Sequence, residues 1–207
     1  MRRPGPSWWN VRVIALSRPD SALHASWAQA VAEFYEAGEE HMHGSGLWDF
    51  DHVDVTEAGC RRIVEHLLAQ ADPATELPVG RVHCTYLWIT DGPEFVGYLA
   101  IRHALTPWLL EEGGHIGYAI RPSRRRQGYA TRALVLATAE AGALGLDRVL
   151  VTCEDDNVGS RRVIERAGGV FEDIRNGKRR YWIDTGHVGG VTPGGSEPRA
   201  DARGACA

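Results

Sequence analysis

The chain predicts an α/β fold: a mixed, mostly antiparallel sheet with a central parallel strand pair, flanked by helices. Three observations carry that prediction. Two strand pairs are joined by tight-turn sequences, Asp91-Gly92-Pro93-Glu94 in mid-chain and Asn176-Gly177 near the end, and turns this short make antiparallel hairpins. Between them run a strand, a glycine turn, an Ala-rich helix and a further strand, the order of a βαβ unit, whose two strands lie parallel with a right-handed crossover. Lastly, 207 residues with 43% hydrophobic and 24% charged suffice for one buried domain of ordinary size.

Taken in order, "VRVIAL" (11–16) is a short β-branched run and the expected first strand. Trp27, Ala30, Val31, Phe34 and Tyr35 recur at helical spacing, and so do Ile63, Val64, Leu67 and Leu68 behind a Thr56 N-cap. Between these helices "GEEHMHGSGLWDFDHVD" (38–54) has no periodicity and reads as a loop, where function concentrates. The hairpin strands are "VHCTYLWIT" (82–90) and "FVGYLAIRH" (95–103), and "HIGYAI" (115–120) follows as a strand. Ala130, Ala133, Leu134, Ala137 and Ala141 mark the next helix, with Gly145 at its end. The strand "RVLVTC" (148–153) precedes a helix opening at Asp156 or Asn157 and stopping at Gly168-Gly169. "VFEDIR" and "KRRYWID" flank Asn176-Gly177, a dipeptide suited to a type I′ turn. A domain over 11–184 is therefore expected, followed over 185–207 by a Gly- and Pro-rich segment that reads as disordered.

Composition narrows the function. A net charge of −4 argues against broad nucleic-acid binding, which needs a basic excess. Cys60, Cys84, Cys153 and Cys206 form no CxxC pair, so neither a zinc site nor a disulfide framework is indicated and no metal is expected. With no signal-peptide pattern and no apolar run of about 18 residues, the expectation is a cytoplasmic protein with no membrane partner.

Against the acidic total stands "RPSRRRQGYAT" (121–131), with Arg121, Arg124, Arg125 and Arg126 close together and Gly128 after them. A glycine between a strand and a helix lets the backbone approach an anion, and the helix's free N–H groups and dipole favour negative charge there. The segment is a phosphate cradle with neither Walker nor GxGxxG spacing. What it does match is Q/R-x-x-G-x-G/A, as Arg125-Arg126-Gln127-Gly128-Tyr129-Ala130. Here the chain resembles the GNAT superfamily of acyl-CoA N-acyltransferases. "GGHIGYAIRPSRRRQGYATRAL" is similar to that family's fourth strand, loop and third helix, and "VLVTCEDDNVGSRRVIERAGGVFED" to its fifth strand and fourth helix.

The resemblance implies acetyl-CoA as acyl donor. Backbone N–H groups of Gln127, Gly128, Ala130 and Thr131 would hold the pyrophosphate, with Arg125 at the motif's first position and Arg126 adding charge. The backbone of Tyr118, Ala119 and Ile120 would pair with the pantetheine arm, Asn157 would contact that arm, and Ser160 matches a common small residue one turn on. Many relatives carry a tyrosine seven residues after that asparagine as general acid; Ile164 stands there.

An amine attacks a thioester only when neutral, so a proton acceptor is sought. His115 is one candidate, beside the position where relatives place a glutamate and this chain has Gly114; the alternative is a histidine satisfied within the sheet. Glu40 and His41, with Glu39 and His43, form the other set. Arg121, Arg124 and Arg126 read either as a solvated basic edge or as contacts to the donor's 3′-phosphate. Trp48 and Phe50 beside Asp49 and Asp51 would suit a cationic acceptor or would fold back on the core, while Trp27, Trp88 and Trp182 fit core faces. The reading is an acetyltransferase acting on a small-molecule primary amine. A protein or peptide acceptor, which calls for an open groove, and a non-catalytic acyl-CoA sensor are the alternatives. A homodimer through the 170–184 hairpin is the further partner expectation.

Overall fold

A computed structural model describes residues 13–186. Trp8, Trp9, Cys206 and nearly all of the segment from 185 onward lie outside the described residues. The elements in order are β1 Ile14–Ser17, α1 His24–Glu36, α2 Glu57–Ala69, β2 Cys84–Asp91, β3 Glu94–Arg102, β4 Ile116–Ile120, α3 Tyr129–Ala143, β5 Arg148–Glu154, α4 Val158–Arg166, β6 Val170–Arg175 and β7 Lys178–Asp184. They form a seven-stranded sheet ordered β1-β2-β3-β4-β5-β7-β6, parallel only between β4 and β5.

Local chemistry explains the boundaries. Thr56 caps α2, its Oγ1 accepting the Gly59 N–H at 3.1 Å, and Asn157 caps α4 by accepting the Ser160 N–H at 2.9 Å. Asn176 and Gly177 take φ of 48° and 76°, the left-handed pair that a type I′ turn requires.

Each sheet face has its own core. Trp27, Ala30, Val31 and Phe34 of α1 and Cys60, Ile63, Val64 and Leu67 of α2 pack on Tyr86, Trp88, Tyr98 and Ala100. On the other face Ala133, Leu134, Ala137 and Ala141 of α3 and Ile164 of α4 cover Leu99, Ile101, Ile116, Val149 and Val151. Trp27 and Trp88 stack at 6.3 Å in the first core, as their spacing suggested. The 38–54 segment is a loop, but its centre is buried: Met42, Ser45 and Leu47 are at most 4% exposed. Gly44 rests there on bare backbone, where a Cβ would lie 2.3 Å from the Gly117 carbonyl oxygen of β4.

Candidate active site

Where β4 and β5 meet, only one residue pair is in register, Ile116 opposite Val151. Beyond it the strands part, and a cleft of about 1110 Å³ opens, lined by Tyr118, Ala119 and Ile120 on one side and by α4 from Asn157 to Arg166 on the other. At its head stands the N-terminus of α3. Gly128 has φ of 88° and nothing within 4 Å of where a Cβ would lie. The first helical hydrogen bond of α3 runs from Arg132 N–H to Gly128 O, 3.1 Å, so the N–H groups ahead of it are not spent within the helix. Ala130 and Thr131 line the cleft beside Gly128, whereas the Gln127 side chain turns back to the Ser123 carbonyl at 3.3 Å.

The four arginines divide sharply. Arg121 is 2% exposed and is a structural residue, neither a solvated edge nor a ligand for the cleft. It pairs with Glu33 and Glu94 and donates to the Phe95 carbonyl at 3.1 Å. Ser123 adds N–H and hydroxyl donors to Glu33 at 3.2 and 2.7 Å. Arg121 and these donors hold the Glu33 carboxyl down at about 2, below its usual 4.5. Arg124 grips Glu94 bidentately at 2.9 and 2.8 Å. Arg125 grips Glu39 at 2.6 Å through both terminal nitrogens and donates to Ile120 O at 2.9 Å. Arg126, at φ of 61°, has no ion pair among the described residues and lines the cleft. Arg162 and Arg166 of α4 line it too. Sequence reasoning missed that pair, although their four-residue spacing puts them on one helix face.

His115 is not brought to the cleft. It is 6% exposed, its Nδ1 accepts the Leu150 N–H at 2.9 Å, and its ring packs edge-on to Trp182 at 6.2 Å. Burial and the nearby Arg102 charge push its pKa down to about 4, so the histidine is satisfied in the sheet. A glutamate at the preceding position is sterically barred, since a Cβ on Gly114, at φ of 62°, would lie 2.6 Å from Leu150 O. Glu40 and His41 do border the cleft, with Glu39 and His43. His43 titrates below its usual 6.5, chiefly through desolvation and then through the Lys178 and Arg102 charges. The Tyr118 hydroxyl is buried close to Ser160, and burial pushes it up to about 12, opposed by the Ser160 contact. Ile164 is fully buried, so the family's usual tyrosine position faces the core.

A second cavity of about 580 Å³ opens from the same loop, and His41 and His43 line both. Its other walls include Met42, Trp48, Tyr86, Arg81, Arg102, Trp108 and Leu109. Trp48 therefore faces this cavity, whereas Phe50 packs edge-on against His66 at 5.1 Å. Asp49 is occupied by Arg81 and His66. The cation-attracting aromatic pair, one of the two alternatives the sequence offered, does not assemble.

A family model described as an acetyltransferase (GNAT) domain matches residues 23–170. No curated protein matches the chain in sequence. Among solved structures, the microcin C7 self-immunity acetyltransferase MccE, in complex with acetyl-CoA and AMP, superposes with a TM-score of 0.58 at 17% identity, over 84% of this chain and 93% of that one. Mycobacterium smegmatis RimJ, in complex with a CoA disulfide, gives 0.58 at 21%, over 83% and 81%. A Salmonella typhimurium acetyltransferase that modifies the N-terminal serine of ribosomal protein L7/L12 gives 0.55 at 17%, over 84% and 96%. At these identities the likeness is one of fold.

Proposed function

Since the chain belongs to the GNAT acetyltransferase family, we propose that it transfers the acetyl group of acetyl-CoA to the primary amine of a small molecule, bound in the second cavity. One observation carries the reading: His41 and His43 line both the cleft between the parted strands, headed by the open Gly128 cradle, and a second cavity of about 580 Å³. That volume suits a small ligand.

The fit of the donor rests on the cradle. Gly128, Ala130 and Thr131 offer N–H groups at a helix N-terminus, Arg126, Arg162 and Arg166 supply unshared positive charge, and the β4 edge from Tyr118 to Ile120 lies free of β5. Acetyl-CoA supplies the acetyl group as a thioester. His43, held below its usual 6.5 and so neutral near pH 7, takes the proton from the acceptor's ammonium, with Glu40 and His41 beside it on the same loop. The new C–N bond forms as the C–S bond breaks, and the second proton of the attacking nitrogen passes to the departing thiolate. The Tyr118 hydroxyl, buried beside Ser160, donates a hydrogen bond to the departing sulfur, a role left open by Ile164.

Thiol release by the full chain, over a panel of small amines and N-terminal peptides, tests this. Turnover on small amines is expected, with an acid limb in kcat/KM below pH 6.5. His43→Gln should lower kcat/KM by about 100-fold or more while leaving acetyl-CoA affinity unchanged. Native affinity for acetyl-CoA with no turnover on any amine would leave only the sensor reading. The likeness to the L7/L12 acetyltransferase favours, as the second reading, a protein N-terminus as acceptor; turnover confined to the peptides would establish it.

A further inference from the structure

We infer that the second cavity recognises a negative charge on its substrate. The acceptor class is a small primary amine that also carries a carboxylate or phosphate near a flat apolar group, with the anion on Arg102 and the flat part against Trp48 and Trp108. This rests on the small-molecule reading above.

The cavity wall contains two arginines and no aspartate or glutamate. Arg81 is answered by Asp49. Arg102 is not: its Nη1 donates to the Gly113 and Gly114 carbonyls at 3.0 and 3.1 Å. No carboxylate pairs with it, and its Nε and Nη2 have no hydrogen-bond partner among the described residues. A partly buried cation without a counter-ion is costly. Held by two backbone carbonyls, the guanidinium presents its remaining edge as a preorganised fork, the geometry that carboxylate and phosphate oxygens match. Beside it Trp108 is 60% exposed and Trp48 45%, with Tyr86 and Leu109 between polar neighbours on the same wall. Large aromatic surface left open in a concave site is suited to a flat apolar group. The sign of the charge runs against polyamines, reversing the cationic acceptor that the acidic loop sequence suggested. Position fits as well. A Cβ on Gly117 of β4 would lie 3.7 Å from Arg102 Nη2, so the fork stands beside the strand that flanks the first cleft, with the histidine pair lining both cavities.

The test uses the full chain at saturating acetyl-CoA with three groups of acceptor: phenylalanine and tryptophan, phenethylamine and tryptamine, and tyramine phosphate. At least one acid-bearing group should exceed the acid-free amines in kcat/KM by tenfold or more, and the carboxylate and phosphate arms show which anion is meant. Arg102→Gln should raise KM for the acid-bearing amines at least tenfold while changing KM for tryptamine less than twofold; any change in kcat through the His43 environment then falls on both groups alike. Trp108→Ala, at an exposed site, should raise KM for every aromatic arm. Should Arg102→Gln fail to fold, calorimetric titration of indole-3-propionate into the coenzyme-A-loaded native chain and into Trp108→Ala decides without turnover: binding weakened by the substitution supports the inference, and no binding to the native chain overturns it. Small-amine turnover that ignores or disfavours the acid overturns this inference alone. Turnover restricted to peptides removes the small-molecule reading with it.

Discussion

Gly128 is the residue on which the donor site depends most. Its φ of 88° favours glycine, and the space ahead of it is open, so strain and occlusion can be separated by two substitutions. Gly128→Ala should cost stability by about 1–2 kcal/mol through the left-handed backbone alone, whereas Gly128→Asp should in addition abolish acetyl-CoA binding by calorimetry, because its charge stands where the pyrophosphate would lie. Glu33 makes a different prediction. Its folded pKa of about 2 lies below the usual 4.5, so its contribution to stability is fully present above pH 4.5 and is lost as pH falls towards 2. Urea unfolding between pH 6 and 3 should show that loss, and Glu33→Gln should flatten it while costing about 3 kcal/mol at pH 7, since Arg121 stays buried with a weaker partner. The motif and its glycine were legible in the sequence because an anion cradle needs a local pattern. The fate of each arginine was not, since Glu33, Glu39 and Glu94, which bind Arg121, Arg124 and Arg125, lie 27 to 88 positions away.

At the scale of elements, the hairpins and the βαβ crossover followed from turn residues and periodicity, and the structure has them within a residue or two at most boundaries. Two placements escaped. His115 stands at the foot of β4, in the stretch where the backbone still pairs with β5, His115 N–H to Leu150 O at 2.7 Å, and strand alternation cannot tell a cleft from a core before the parting point is known. The 38–54 segment looked solvated because its residues are polar, yet glycines at 44 and 46 let it sink onto the sheet. Helix α4 offers the sharpest check. Ile164 is fully buried, and a Cβ on Gly169 would come within 2.5 Å of it. Ile164→Tyr should therefore overpack the core at a cost of about 1–3 kcal/mol, seen as a lower melting temperature, with no gain in kcat. A rise in kcat would mean that α4 can still present a proton donor to the cleft.

At the scale of the whole molecule the chain is acidic, −4 net, yet arginines without ion pairs among the described residues face the cleft between β4 and β5. Arg126, Arg162 and Arg166 line that cleft from two different elements. Reversing two of them, Arg162→Glu with Arg166→Glu, should weaken acetyl-CoA binding more than tenfold and steepen no other transition, and dephospho-CoA should lose less between the native and reversed chains if these side chains meet the 3′-phosphate. The loop from Gly38 to Leu47 has a wider reach. It leans on β4 through Gly44 and supplies His41 and His43 to both cavities, so the two cavities share one wall. Whatever factor occupancy of one chamber imposes on binding in the other through that wall is returned unchanged in the opposite order of arrival, because the two routes to the doubly filled state have the same total free energy.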